Sequence, residues 1–421
     1  MSGFSEATRR YVLGVLVVVY TFNFIDRQIL SILLDPIKHA LGLTDTDLGW
    51  LAGPAFAVFY ATLGMPIARW ADRRNRRNLI AAALSVWSAT TALSGLAINF
   101  WTLFAARVGV GVGEAGCSPA AHAIIADYYP PARRATALGI YALGIPIGIL
   151  FGFLAGGWIN QFFGWRNAFF VVGLPGLALA LIVRLTIAEP SRGLSEGRTT
   201  PAAQPAIGET MRFLWSRRSF RHLTMGAALT AYVGYSVVGW VPTFLGRSFG
   251  LSSGVIGTAL GLVIGIPGGI GIVLGGRLAD RFGARDPRWY LWIVAIALLA
   301  GLPFTFGVFL APTWTISLGC LIVPVLLGNF YQATTFSQTQ GLAGLRMRAV
   351  ASSVMLFIVT IIGLALGPWS VGVLSDVFAP RFGQESLRYA LLAVSFVNVW
   401  SAVHFYIGGR YLGADLKAAP A

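Results

Sequence analysis

Four charged residues stand where charge is expensive. Asp26 and Arg27 lie inside one long apolar run, and Arg107 and Glu114 inside another. A charged side chain deep in a bilayer costs about 2.5–3.5 kcal/mol on insertion scales, so each is a functional candidate by default. Two acids and two bases sum to zero, which lets them pair in a low-dielectric interior. Arg107 and Glu114, seven residues apart, share one helix face about two turns from each other. Asn23, Asp26, Arg27 and Leu30 follow helical spacing, so Asn23 faces the side of the charges. Three kinds of chemistry suit this set. Protonation of Asp26 or Glu114 would strip an arginine of its partner and change which packing is favoured, a physical route to proton coupling. An anionic headgroup could compete with Glu114 for Arg107. A static ion pair that only fixes helix register, with Arg27 neutralising its neighbour, is the third. His122, further along the same run as Glu114, is of a type that titrates near neutral pH, but a lone histidine is more often a packed polar residue. Nothing here resembles a catalytic centre: no span holds a paired acid and base, a metal-ligand cluster or a nucleophile with an oriented base. Cys117 and Cys320 both fall in apolar runs, so neither a disulfide framework nor a metal site is expected. No cofactor is implied beyond protons as coupling ion.

The elements that must position these charges are membrane helices. Of 421 residues, 56% are hydrophobic and 11% charged, where a soluble domain carries roughly 25% charged. Lipid must therefore be the solvent for most of the surface, with membrane lipids as standing partners. The net charge of +15 sits in loops between apolar runs and forms no stripe on a folded domain, which excludes a nucleic-acid partner. Stretches able to cross about 30 Å of hydrocarbon fall near 11–33, 49–69, 78–98, 101–126, 135–160, 167–188, 222–246, 254–276, 289–311, 313–340, 349–375 and 388–409. Without water to satisfy the backbone, each is expected to be helical. The first is too long for the apolar region of a cleavable signal. Arginines gather at 9–10, 69–77, 133–134, 184–221, 277–288, 346–348 and 410, whereas the opposite loops carry only Lys38, Arg166, Arg247, Arg381 and Arg388. The positive-inside rule then puts both termini in the cytoplasm, in a multi-pass protein of the cell membrane, a bacterial inner membrane. Near the middle of the chain, the start of the polar interval 189–220 reads as a linker. In its second part Ile207, Met211, Leu214 and Trp215 oppose Arg212, Arg217 and Arg218. That pattern suits an amphipathic helix on the membrane face, or equally a solvated loop.

A duplication organises the spans. Ala68-Arg69-Trp70-Ala71-Asp72-Arg73-Arg74-Asn75-Arg76-Arg77 follows the second span, and Gly276-Arg277-Leu278-Ala279-Asp280-Arg281-Phe282-Gly283-Ala284-Arg285 follows the eighth. The offset is 208 (280 − 72), about half the chain. Two parallel six-helix halves are expected, 1–188 and 221–421 about the linker 189–220, with a site near mid-membrane at their interface. The repeated loop resembles the signature of the major facilitator superfamily, although Ala68 and Asn75 stand where that pattern has glycines. Arg107-Val108-Gly109-Val110-Gly111 resembles the superfamily's basic motif in the fourth span. Gly139, Gly144, Pro146 and Gly148 form part of its glycine-proline motif in the fifth. The resemblance implies an all-α membrane protein of twelve transmembrane helices in two pseudo-symmetric bundles. It also implies that Asp72, Arg73, Arg76, Asp280, Arg281 and Arg285 latch one access state. Plain cytoplasmic anchoring accounts for the arginines but leaves both aspartates unexplained. Asp127, before Pro130-Pro131, is expected to pair with Arg133 or Arg134.

The halves are unequal. At the offset of 208, Asp26 corresponds to Gly234, Arg107 to Thr315 and Glu114 to Ile322, so every deep charge belongs to the N-terminal half. Three segments resemble the spinster branch of the superfamily: Phe22-Asn23-Phe24-Ile25-Asp26-Arg27-Gln28, Gly111-Val112-Gly113-Glu114-Ala115-Gly116 and Trp240-Val241-Pro242-Thr243-Phe244-Leu245. That resemblance implies a proton-coupled secondary transporter, with Asp26, Arg107 and Glu114 linked to protons and headgroup. Arg27 joins the candidate set as their charged neighbour, and a monomer is expected. Its cargo would be amphiphilic, such as a lysophospholipid or sphingoid phosphate. Candidate wall residues are Asn23, Tyr60, His122, Tyr141, Tyr232, Tyr235, Trp240, Asn329, Tyr331, Gln332 and Phe336. This largely aromatic set would also suit an aromatic or organic anion, or a hydrophobic drug. A channel would not need the duplicated aspartate-arginine latch. The eighth-span glycines Gly257, Gly261, Gly265, Gly268 and Gly271 suit helices that approach and slide.

Overall fold

The structure, a computed structural model, describes residues 4–71, 74–191 and 207–418. Among them all regular structure is helical: α1 (Glu6–Leu41), α2 (Asp45–Ala52), α3 (Pro54–Ala71), α4 (Arg76–Ser94), α5 (Phe100–Glu114), α6 (Cys117–Tyr128), α7 (Pro131–Ala142), α8 (Gly144–Phe163), α9 (Trp165–Thr186), α10 (Ile207–Ser216), α11 (Arg218–Phe249), α12 (Ser253–Gly283), α13 (Trp289–Leu310), α14 (Trp314–Gly328), α15 (Phe330–Val359), α16 (Leu366–Phe382), α17 (Ser386–Ser395) and α18 (Val397–Lys417). A π-helical segment, Thr360–Ala365, joins α15 to α16. Eight helical stretches among the described residues are long and apolar enough to cross a membrane, and the last, Val350–Lys417, takes in two of the expected spans. The expected spans 49–69, 78–98 and 101–126 fall short for visible reasons. Gly53 separates α2 from α3, Ala115 and Gly116 separate α5 from α6, and α4 opens on Arg76, Arg77 and Asn78. Helix starts carry the caps that their sequences suggest. The Ser5 side chain accepts from the Thr8 amide and Asn75 from the Asn78 amide, and Thr44 with Asp47 closes a capping box at α2.

By internal packing the chain divides into two units. One takes in the described parts of 1–43, 55–202 and 252–261; the other takes in those of 44–54, 203–251 and 262–421. In the first unit, α8 presents Gly144, Gly148, Gly152 and Gly156 every fourth residue to α1. A Cβ at Gly148 would stand 2.6 Å from the Thr21 carbonyl oxygen. This close approach presses the Thr21, Ile25, Gln28 and Ile32 side of α1 onto α8 and fixes the helix's rotation. The first turns of α12 pack on α8 of the same unit, where a Cβ at Gly257 would meet the Phe153 carbonyl oxygen at 2.2 Å.

The second unit has a core of Phe220, Leu223, Leu291, Val294, Phe330, Met355 and Phe405. Leu214 of α10 is fully buried in it, while Met211 and Trp215 are exposed. The basic amphipathic segment is therefore a helix seated on that core. Here α2 packs on α16, and a Cβ at Gly372 would stand 2.2 Å from the Asp45 carbonyl oxygen.

Candidate functional site

The rotation of α1 set by α8 turns Asn23 and Asp26 inward, where they are 2% and 1% exposed. On α5, two glycines admit the neighbouring backbones. A Cβ at Gly111 would lie 2.5 Å from the Phe56 carbonyl oxygen, and one at Gly113 would lie 2.6 Å from the Trp87 amide nitrogen. Phe56 and Tyr60 of α3, and Trp87 and Thr91 of α4, are thereby brought to the charges. The pairing crosses helices: Arg27 Nε donates to Glu114 Oε2 at 2.8 Å. Arg27 thus reaches Glu114 although Asp26 is its chain neighbour, because successive residues on a helix point about 100° apart. Its guanidinium also lies 4.7 Å from the Tyr60 ring centre and 5.0 Å from that of Phe56, within cation–π range. Arg107 approaches Phe56 from another side at 5.5 Å. Asp26 faces Thr91 and Trp87 in the fields of Arg107 and Glu114. Among the described residues, Asp26 Oδ1, Glu114 Oε1, Arg107 Nε and Asn23 Oδ1 have no hydrogen-bond partner. Buried polar atoms are rarely left so, and the cluster retains capacity for a proton or an anionic group.

The two copies of the repeated loop differ. Asp72 and Arg73 lie outside the described residues. Arg76 is buried and bonds Asp127, Glu189 Oε1 at 2.9 Å and the Pro190 carbonyl oxygen at 2.9 Å. Burial pulls its pKa down, but the hydrogen bonds it donates to the Asp127 and Glu189 carboxylates, with their charges, outweigh that and hold it above the ordinary arginine value. Asp127 therefore grips a helix start 51 residues away, while Arg133 meets Glu6 at 3.6 Å. In the other copy Asp280, Arg281 and Arg285 are all exposed at the end of α12. A Cβ at Gly283 there would clash with the Tyr290 ring at 2.5 Å. In the first copy Asn75 has a different task, capping α4.

The expected wall residues separate into packed and accessible ones. Trp240 is fully buried and donates Nε1 to the Pro368 carbonyl oxygen at 2.8 Å, an internal anchor of the second unit rather than a wall residue. Tyr141 is likewise buried, stacked on Tyr20 at 4.3 Å, with the exposed His122 ring edge-on at 5.3 Å. Tyr60 is half-buried and Tyr235 exposed. Gln332 donates to Asn329 Oδ1 at 2.8 Å at the break between α14 and α15. Tyr232 bonds Ser370, and Tyr331 stands near Tyr235. The second unit thus brings together hydroxyls and amides, the first unit charges.

Sequence reasoning missed a second ionic group. Asp45, 2% exposed, takes Arg247 on both oxygens at 2.8 and 2.9 Å and accepts from Ser375 Oγ at 2.7 Å. Asp376 accepts from the Asp45 and Thr46 amides at 3.2 and 2.7 Å, capping α2 from another helix. The only local signal was the Thr44-x-x-Asp47 capping pattern. Among the described residues no group of three or more His, Cys, Asp or Glu side chains is placed to hold a metal.

An all-helical chain with a buried, self-neutralising charge cluster is the build of a membrane transporter. The chain matches the Major Facilitator Superfamily over residues 16–368 and belongs to it. It is similar to an MFS-type efflux pump of Mycolicibacterium smegmatis, 35% identical over 96% of this chain and 93% of that protein. Within the superfamily it is spinster-like. Protein spinster homolog 1 of Xenopus laevis is 27% identical over 98% of this chain and 83% of that protein. The solved structure of a bacterial homologue of the human lysosomal transporter spinster, inward-facing and unoccupied, superposes with a TM-score of 0.88. It is 32% identical and covers 98% of this chain and 99% of that one. Membership makes this chain a multi-pass membrane transporter and not an enzyme.

Proposed function

We propose that the chain is a proton-coupled secondary transporter working by alternating access, with twelve spans and both termini in the cytoplasm. The observation that carries this is the Arg27–Glu114 pair, whose carboxylate is fully buried, beside Asp26 and Arg107. A proton on Glu114 cancels the charge that holds Arg27 and weakens their bond. An anionic headgroup then takes the freed guanidinium together with Arg107, against the ring faces of Phe56 and Tyr60. Proton and anion are bound together, and neither alone leaves the buried site neutral. The apolar and aromatic surroundings suit an amphiphile, with a lysophospholipid or sphingoid phosphate as the leading class. Similarity to spinster proteins supports that reading. An aromatic or organic anion, or a hydrophobic drug, is the second reading, favoured by similarity to an efflux pump. The exposed Asp280, Arg281 and Arg285, with Asp72, Arg73 and Arg76, would latch one access state.

The test is flux in proteoliposomes under an imposed pH gradient, with a lysophospholipid and an aromatic acid as rival cargoes. Glu114→Gln and Asp26→Asn should each abolish the response to the gradient. If both variants kept a wild-type pH dependence, proton coupling at this cluster would be wrong.

A further inference from the structure

The second unit carries an open apolar groove, remote in sequence from the charged cluster, that the transport reading does not use. It encloses about 310 Å³ between α13 and α18, at the lower end of the roughly 300–1,000 Å³ seen for small-molecule clefts. Its floor is two stripes. Trp292, Ile296 and Leu299 come from α13, and Tyr406, Val403 and Val399 from α18. The helices run antiparallel, since Phe306 meets Phe396 at one end (5.0 Å) and Trp292 stacks on Tyr406 at the other (5.5 Å). Each stripe ends on an arginine one turn beyond its aromatic residue: Arg288 precedes Trp292 by four, and Arg410 follows Tyr406 by four. Because the helices are antiparallel, both arginines fall at the same end.

That end is built. The Arg288 guanidinium lies 5.9 Å from the Trp292 ring centre, and Trp292 Nε1 donates to the Tyr406 carbonyl oxygen at 3.0 Å. Gly409 lets α18 touch α13 here, since a Cβ would stand 2.6 Å from the indole and 3.1 Å from the Arg288 carbonyl oxygen. Arg288 and Arg410 are exposed, and neither guanidinium has a carboxylate partner among the described residues. The nearby Asp286 carboxylate accepts from the Arg288 backbone amide at 3.0 Å. From arginine to the far end, each stripe runs eleven helix steps, a rise of about 16 Å. That is half of the roughly 30 Å hydrocarbon core, the depth of one leaflet.

We infer that this groove holds one acyl chain of an anionic phospholipid from the surrounding bilayer, with its phosphate between Arg288 and Arg410. A dry apolar groove running about 10 Å inward from the headgroup level selects a chain, and two cations at its mouth select a negative headgroup over a zwitterionic one. Tryptophan and tyrosine at that mouth suit the headgroup level. This lipid is resident, not cargo. The inference requires only that the chain sits in a membrane, so it stands or falls separately from proton coupling.

Delipidated protein in detergent is titrated with phosphatidylglycerol or phosphatidylcholine, and adducts are read by native mass spectrometry. Phosphatidylglycerol should bind more tightly than phosphatidylcholine. Replacing both cations (Arg288→Gln with Arg410→Gln) should weaken phosphatidylglycerol about 30-fold, the effect of two surface arginines on an anionic lipid, and leave phosphatidylcholine unchanged. Val403→Trp, which fills the groove, should weaken both lipids. Excess soluble glycerol phosphate should not compete. Equal binding of the two lipids, an unchanged preference in the double variant, or displacement by glycerol phosphate would each overturn the assignment.

Discussion

The two units contain the same joint built from different chemistry. At the repeat's offset of 208, Asp45 corresponds to Ser253 and Gly49 to Gly257. Both segments open a helix and lie against another through glycine. At the α2–α16 joint, a Cβ at Gly49 would lie 2.9 Å from the Trp369 Cα. At the α12–α8 joint, a Cβ at Gly157 would lie 2.3 Å from the Ser253 carbonyl oxygen. The steric half of the design is thus common to both. The polar half is not. The α2 joint is closed by Arg247 and Ser375 on Asp45, with Asp376 on the helix start. The α12 joint is closed by neutral groups: Ser253 Oγ donates to the Gly157 carbonyl oxygen at 2.9 Å, Asn160 to Ser253 at 3.0 Å, the Gly254 amide to Gln161 at 3.0 Å, and Trp158 to Thr258 at 3.0 Å. A buried ion pair fails abruptly when one member is lost, whereas neutral hydrogen bonds fail singly. A repeat therefore preserves backbone approach more readily than the chemistry that locks it.

The largest expected effect is on the charged joint. Asp45→Ala removes the buried carboxylate that holds the part-buried Arg247 and should cost roughly 3 kcal/mol, the lower end of the range for breaking a buried pair. Thermal unfolding in detergent measures this, and a loss no greater than that of Ser253→Ala would remove the distinction between the joints. Next come the shared steric contacts. Gly372→Ala and Gly257→Ala should each cost about 1–3 kcal/mol, as overpacking does, and the two losses should match. A marked inequality would mean that the backbones do not approach alike. A double-mutant cycle on Asp45→Asn and Arg247→Gln should give a coupling of roughly 0.5–3 kcal/mol. Zero coupling would show that the two side chains merely lie near each other. Smallest is the neutral joint, where Gln161→Ala and Ser253→Ala should each cost about 1 kcal/mol. Losses as large as that of Asp45→Ala would contradict its neutral design.

The charged cluster is legible in the sequence because charge in an apolar run is rare and each such residue announces itself. Its wiring is not. Whether Arg27 meets Asp26 or Glu114 depends on the rotation of α1, which the α8 glycines fix from across the unit. The aromatic wall shows the same limit. Trp240 and Tyr60 are alike in type and in their neighbourhood of apolar residues, yet one anchors a core and the other faces a guanidinium. The repeated loop reveals the duplication by its pattern, but not that Arg76 is buried against Asp127 and Glu189 while Arg285 is exposed.

Composition and spacing dictate the solvent, the helical content, the duplicated loop and the unequal placement of deep charge. They act locally and leave the backbone no alternative to helix in lipid. The partners come from tertiary packing: Arg27 with Glu114, Arg76 with Asp127, Asp45 with Arg247, and a groove ending on Arg288 and Arg410. Partners at such separations depend on helix rotation and on how closely backbones approach. Both are set by contacts between helices distant in the chain, which no local pattern encodes.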